Sequence, residues 1–463
     1  MTAIRISGLG ARLLGAAAAF VTLTAMPSLA SAQALIRDAE IEDTLRTFET
    51  PVLHAANIRP EDVRFYIVQD PSINAFVAGG QNIFVHTGLI MDAQNPNEII
   101  AVMAHETGHI AGGHLSRAAR AQANAMPPAL ISIGLGILAL AAGQPGAGAA
   151  LISGAPAFAM GSLVRFTQVE ESSADQAGMT FLEESGQSGR GLITFFDREL
   201  RPYEFLTRRM PPYMLTHPYT SDRVEALRRR VEAATHRDAP DTPDNIRRFQ
   251  FMQAKLVGFI QTQGQTLARY PLSDHSQPAR YARAIAYYRV SDLDSARAEL
   301  ATLLTDDPRN PYFQELMGQI LFENARAAEA IPYYRRAVEY DPSQPLLQVG
   351  LARALDAAQG RAGTDEALAL LQQAVAREPD NGYAWREMAQ AREMRGEEGM
   401  ANLASAEQSF SIGDYALAGN FAERARRVLP HNIPAYQRAT DIVSFSTQNL
   451  QEQLRARGGR PGN

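Results

Sequence analysis

The chain has 463 residues, of which 46% are hydrophobic and 20% charged, with a formal net charge of −6 and no cysteine. That length accommodates about three domains of roughly 150 residues each. The charge balance gives no support to nucleic-acid binding, and the lack of cysteine excludes disulfides and thiolate-ligated metal.

The chain opens on a basic segment with Arg5 and Arg12, continues through the apolar Leu13 to Leu23, and reaches Ala30-Ser31-Ala32. This order predicts a signal peptide over residues 1–32, cut after Ala32; the alternative is an uncleaved anchor. Export of a chain without thiols suits the periplasm. Residues 33–60 read as helical. Val63-Arg-Phe-Tyr-Ile-Val-Gln alternates and reads as a strand, and Ala75-Phe-Val-Ala meets Gly79-Gly80 before Asn82-Ile-Phe-Val-His-Thr, the pattern of a hairpin. Asn95-Pro96-Asn97-Glu98 then marks a helix start, with Asn95 or Asn97 as the capping candidate.

Met126 to Phe166 is almost wholly apolar, broken by Gln144-Pro-Gly-Ala-Gly. Each arm is shorter than the roughly 20 residues a spanning helix needs. The segment is expected to be a helical hairpin over the active site, or a flap in peripheral contact with a membrane or a partner. Residues 165–235 carry helices with Arg-rich faces, such as Asp222 to Ala234. His236 to Pro243 reads as a linker, Ile246 to Thr262 as a helix, and Gly264 to Pro278 as a second linker. From residue 276 the chain repeats. Asp307-Pro308 recurs as Asp341-Pro342 after 34 residues and as Glu378-Pro379 after another 37. Each follows an Ala-rich helical stretch: Ala296 to Leu304, Ala328 to Tyr340 and Asp365 to Arg377. Paired helices with a following proline fit tetratricopeptide repeats, about four units with the last irregular; an unrelated helical bundle is the alternative. The domains read as a protease domain at 33–265, repeats at 276–445 and a polar tail at 446–463.

The chemistry concentrates in His105-Glu-Thr-Gly-His109, which follows the apolar run Ile99 to Ala104. Residues four apart on a helix share a face, so His105 and His109 can reach one ion, with Glu106 beside them as general base. That is the arrangement of a zinc metalloprotease. A third protein ligand is needed. Gly112 extends the motif toward the metzincin pattern, but the tenth position after His105 is Leu115, and His114 misses by one. Helical geometry points His114 away, so it reads as a surface or supporting residue. Glu171 is the better candidate: in Glu170-Glu171-Ser-Ser-Ala-Asp175 it shares a face with Asp175, which can orient a ligand histidine through its second nitrogen. Glu170 is expected about 100° away. His54, His86, His236, His275 and His431 read as structural or surface residues.

His105 to His109, Glu171-Ser-Ser-Ala-Asp175, Thr216-His217-Pro218 and Arg223 together resemble the prenyl-protease-like (CAAX-type) zinc metallopeptidases, and the leader with C-terminal repeats resembles their periplasmic members. Asn74-Ala-Phe76 with Gly79-Gly80 is similar to the family's substrate-edge hairpin. Ser173 departs from an acidic residue often found there, which bears on surface charge. The resemblance implies an α+β gluzincin-type metalloprotease domain, mostly helical with a small sheet, followed by an all-α repeat solenoid. It implies one Zn²⁺ on His105, His109 and Glu171, and Asp175 as a supporting residue. It also implies a role for His217 near the metal, as oxyanion donor or as a fourth ligand that keeps the enzyme latent; from the residues alone, a structural histidine is equally open. Arg223 steadies the same loop or pairs with an acidic neighbour.

The expected activity is hydrolysis of peptide bonds in misfolded or stalled envelope proteins, with the repeats gripping substrate or outer-membrane assembly machinery. Two other readings remain: a chaperone or adaptor in which proteolysis is secondary, and an integral membrane protease using Met126 to Phe166.

Overall fold

A computed structural model describes residues 35–114, 117, 168–200, 217 and 221–458. The leader, Met126 to Phe166 and the residues flanking His217, all the subject of expectations above, lie outside them. Among the described residues no helix is long and apolar enough to cross a membrane.

The first half builds a small mixed sheet with helices packed against it. The strands are β1 (Leu35–Ile36), β2 (Arg64–Val68), β3 (Ala75–Ala78) and β4 (Asn82–His86), in the order β1-β2-β4-β3. β2 and β4 run parallel, while β3 and β4 form the expected hairpin, with Val77 opposite Ile83. β3 is therefore an edge. Alternation buries Phe65, Ile67, Ile83 and Val85 on the core side. Helix α1 (Ala39–Ala55) and the short α2 (Thr87–Asp92) flank the sheet. Helix α3 (Pro96–Gly112) starts where expected: the Asn95 side chain accepts from Glu98 N, with Pro96 in the first turn. Ile99 to Ala104 are all fully buried, so this stretch of the helix is enclosed on every side. Residues 168–184 form α4, followed by α5 (Arg190–Leu200) and α6 (Ser221–Ala233).

Helix α7 (Pro243–Ile260) joins the halves. Phe249, Met252 and Leu256 enter the protease core, whereas Phe251 and Ala254 enter the core of the repeats. Lys255, buried on the same helix, lies 2.8 Å from Asp38 and 3.4 Å from Glu40, and Tyr281 donates to Glu40 at 2.9 Å. The stretch read as a second linker is partly helical. Gln263–Arg269 forms α8, because Thr262 and Gln265 make a reciprocal capping box.

The repeats comprise ten helices between Gln277 and Gly458, each packed on the next. Ser291, Ala325, Gly396 and Gly413 adopt left-handed backbone at the tight turns within this array. Gly413 replaces the Asp-Pro marker between the helices Glu398–Ser411 and Tyr415–Val428, which is the irregularity seen in the sequence. The last helix, Pro434–Gly458, runs through most of the polar tail.

Candidate metal centre

Two helices build the site, and glycine lets them approach. A Cβ on Gly108 of α3 would lie 2.5 Å from the Ala174 carbonyl oxygen of α4, and one on Gly178 would lie 2.9 Å from the Ala104 carbonyl oxygen. This close crossing aims His105 and His109 from one helix and Glu171 and Asp175 from the other at a common point. His217 enters from elsewhere in the chain.

His105 Nε2 lies 3.1 Å from His109 Nε2, 3.2 Å from His217 Nδ1 and 3.4 Å from Glu171 Oε2. His109 Nε2 lies 3.3 Å from Glu171 Oε1, and His217 Nδ1 lies 3.2 Å from both oxygens of Glu171. A tetrahedral ion with bonds of about 2.0–2.1 Å requires donors about 3.3 Å apart. The five separations above lie close to that spacing, and all four donor atoms lie within 4.8 Å of one another. Three of the four residues are buried, His109 only partly. Glu106 is also buried, and among the described residues neither of its carboxylate oxygens has a hydrogen bond. His217 Nε2 lies 3.4 Å from Glu106 Oε1 and 3.3 Å from the Ala75 carbonyl oxygen on edge strand β3. An unsatisfied buried carboxylate beside a ready-made donor set fits a metal and a reacting water.

Charged neighbours hold the donors in place. His105 Nδ1 lies 2.9 Å from Asp175 Oδ1. Arg223 forks onto Asp175 at 2.6 and 2.9 Å and reaches Glu171 at 3.0 Å. Burial opposes charge on His105, but Asp175 and Glu171 outweigh it and raise the ring to about 10. Burial likewise opposes the Glu171 carboxylate, and hydrogen bonds from His105, His109 and His217 outweigh it, holding the group well below the usual range. The proton and a metal thus compete for the same nitrogen.

Two side chains differ from expectation or escaped it. His114 is not a surface residue pointing away: it is buried, with Nδ1 2.9 Å from His109 Nδ1. The α-helix ends at Gly112, and left-handed Gly113 (φ 65°) turns the ring back. Burial and the neighbouring His109 push His114 down to about 4, which suits a neutral ring. Behind the motif, Thr107 donates to the buried Glu49 Oε1 at 2.6 Å, a contact between α3 and α1 that no local pattern announces. Gly112-Gly113-His114 was the available signal for the first.

Residues 37–231 match peptidase family M48, and residues 281–345 match a tetratricopeptide repeat. The chain carries a metalloprotease domain of peptidase family M48. The β-barrel assembly-enhancing protease of Yersinia pestis is 28% identical over 369 residues, covering 78% of this chain and 74% of that protein. The protein of that name from Escherichia coli (strain K12) is 28% identical over 393 residues, 83% of this chain and 77% of its own length. Metalloprotease LoiP of the same strain is 27% identical over 199 residues, 42% of this chain and 73% of that one. The M48 domain thus precedes helical repeats in one chain, as the sequence implied.

Proposed function

We propose that this protein is a periplasmic zinc endopeptidase that cleaves misfolded or stalled outer-membrane proteins, with a protease domain at 33–265 and repeats at 276–445 that hold substrate or assembly machinery. The tetrahedral spacing of the His105, His109, Glu171 and His217 donors beside the unbonded Glu106 carries the reading. Long relatives named for β-barrel assembly support the substrate class.

His105, His109 and Glu171 hold the metal. A zinc ion there supplies a Lewis acid for the scissile carbonyl and lowers the pKa of a water from about 15.7 toward about 7. Glu106 takes a proton from the attacking water and returns it to the leaving amine. Asp175 keeps His105 in the tautomer whose Nε2 faces the site. The substrate adds an extended segment to edge strand β3 at Ala75–Ala78. His217 Nδ1 would join the same donor set, lying 3.2 Å from His105 Nε2 and from both Glu171 oxygens, which favours latency over the oxyanion role.

Cleavage of an unfolded outer-membrane barrel protein tests the reading. Wild type should cut it and Glu106→Gln should not while retaining metal. His217→Ala should cut faster than wild type if the ring blocks the site, and slower if it serves the oxyanion. Retained assembly in cells carrying Glu106→Gln points instead to the chaperone role, which the long repeat array favours.

A further inference from the structure

Each ligand histidine presents a second nitrogen, and the two are supported differently. From His105 the path is short: Asp175 at 2.9 Å, then the Arg223 fork. From His109 it is longer. His109 Nδ1 meets His114 Nδ1 at 2.9 Å, His114 Nε2 lies 2.6 Å from Glu170 Oε2, and Arg117 forks onto Glu170 at 3.0 and 2.8 Å. Both paths end on a carboxylate held by an arginine. His114 and Glu170 are buried, although both lie outside the cluster that could hold the ion.

We infer that His114 and Glu170 form a positioning relay for His109, doing through a second imidazole what Asp175 does directly for His105. The inference rests on His109 being a metal ligand. The proton inventory fixes the direction. With Nε2 committed to the metal, His109 carries its proton on Nδ1 and donates it. His114 must then accept at Nδ1 and carry its own proton on Nε2, which faces the Glu170 carboxylate. The two Nδ1 atoms then pair as donor and acceptor, and His114 Nε2 faces the Glu170 carboxylate at ion-pair distance without being aligned for a hydrogen bond. The local backbone is arranged for this. Left-handed Gly113 reverses the chain, and Gly112 leaves room for the ring: a Cβ there would lie 2.2 Å from His114 Nε2. Glu170 and Glu171, adjacent on one helix, thus serve opposite ends of the same histidine.

The test is zinc affinity of the full chain, measured by competition with a chromophoric chelator, together with thermal unfolding of the metal-free protein. His114→Ala should weaken zinc about ten- to 100-fold, the usual range for losing such an outer partner. His114→Asn places an amide oxygen close to where Nδ1 accepts and should restore most of that loss. Glu170→Gln should fall between them. Gly112→Ala, which keeps His114 but displaces its ring, should resemble His114→Ala. Wild-type affinity in His114→Ala overturns the relay, and so does an equal loss in His114→Asn, since ring volume alone would then matter. If His114→Ala fails to fold, Glu170→Gln decides, and unchanged affinity there overturns the proposal. Absence of zinc binding in wild type removes the metal reading itself, a result distinct from all of these.

Discussion

Replacing Arg223 by alanine removes the arginine from two buried carboxylates and leaves them only their histidine contacts. The guanidinium is buried and contributes three contacts of 2.6, 2.9 and 3.0 Å to Asp175 and Glu171. Breaking a buried ion pair by removing one partner costs about 3–5 kcal/mol, because the remaining charge is left without compensation. The loss should be local to the crossing of α3 and α4. At about 1.36 kcal/mol per tenfold, amide-exchange protection of Met103 to Gly108 in the metal-free protein should fall by roughly 100- to 5,000-fold. Saturating zinc should recover part of it, since the ion neutralises Glu171. Arg223→Lys should rescue little, because an ammonium cannot fork onto Asp175 and still reach Glu171. Protection within about threefold of wild type in Arg223→Ala, some 0.7 kcal/mol at most, would refute the reasoning.

Gly108→Ala should cost about 1–3 kcal/mol by overpacking and weaken metal binding, as its Cβ would meet the Ala174 carbonyl; urea denaturation and zinc titration check both. The raised pKa of His105 gives a definite sign with pH. In the metal-free protein its contribution to stability is fully present below the unfolded value of about 6.5 and is lost as pH rises through about 10. The urea midpoint of the apoprotein should therefore fall across that window, and His105→Ala should flatten the fall; an unchanged slope in that variant counts against the assignment. Thr107→Val should leave the buried Glu49 without its partner and cost about 1–3 kcal/mol, readable in the same denaturation.

Much of the site was legible because its spacing is helical. His105 with His109, and Glu171 with Asp175, are each four apart and do share a face. Asn95 caps as its position before Pro96 suggests, and the Gly79-Gly80 hairpin forms. Legibility failed where the helix did. His114 lies two residues beyond Gly112, where extending α3 points it away, and a single left-handed glycine reverses its direction. Glu170, read as facing away from the metal, does so, but toward His114. The helix at Gln263–Arg269 was hidden by composition, although Thr262-x-x-Gln265 was a capping box in plain view. Helix α7 shows a limit of another kind: one amphipathic pattern serves two cores, and no local period separates Phe249 from Phe251. Long-range pairs such as Glu49 with Thr107, or Lys255 with Asp38, depend on how elements meet.

The central claim is that His105, His109 and Glu171 converge to hold one zinc ion beside Glu106. Elemental analysis of the purified wild-type and Glu171→Ala proteins after identical dialysis tests it most directly. The account predicts one zinc per wild-type chain and essentially none in the variant; equal zinc in both would contradict it.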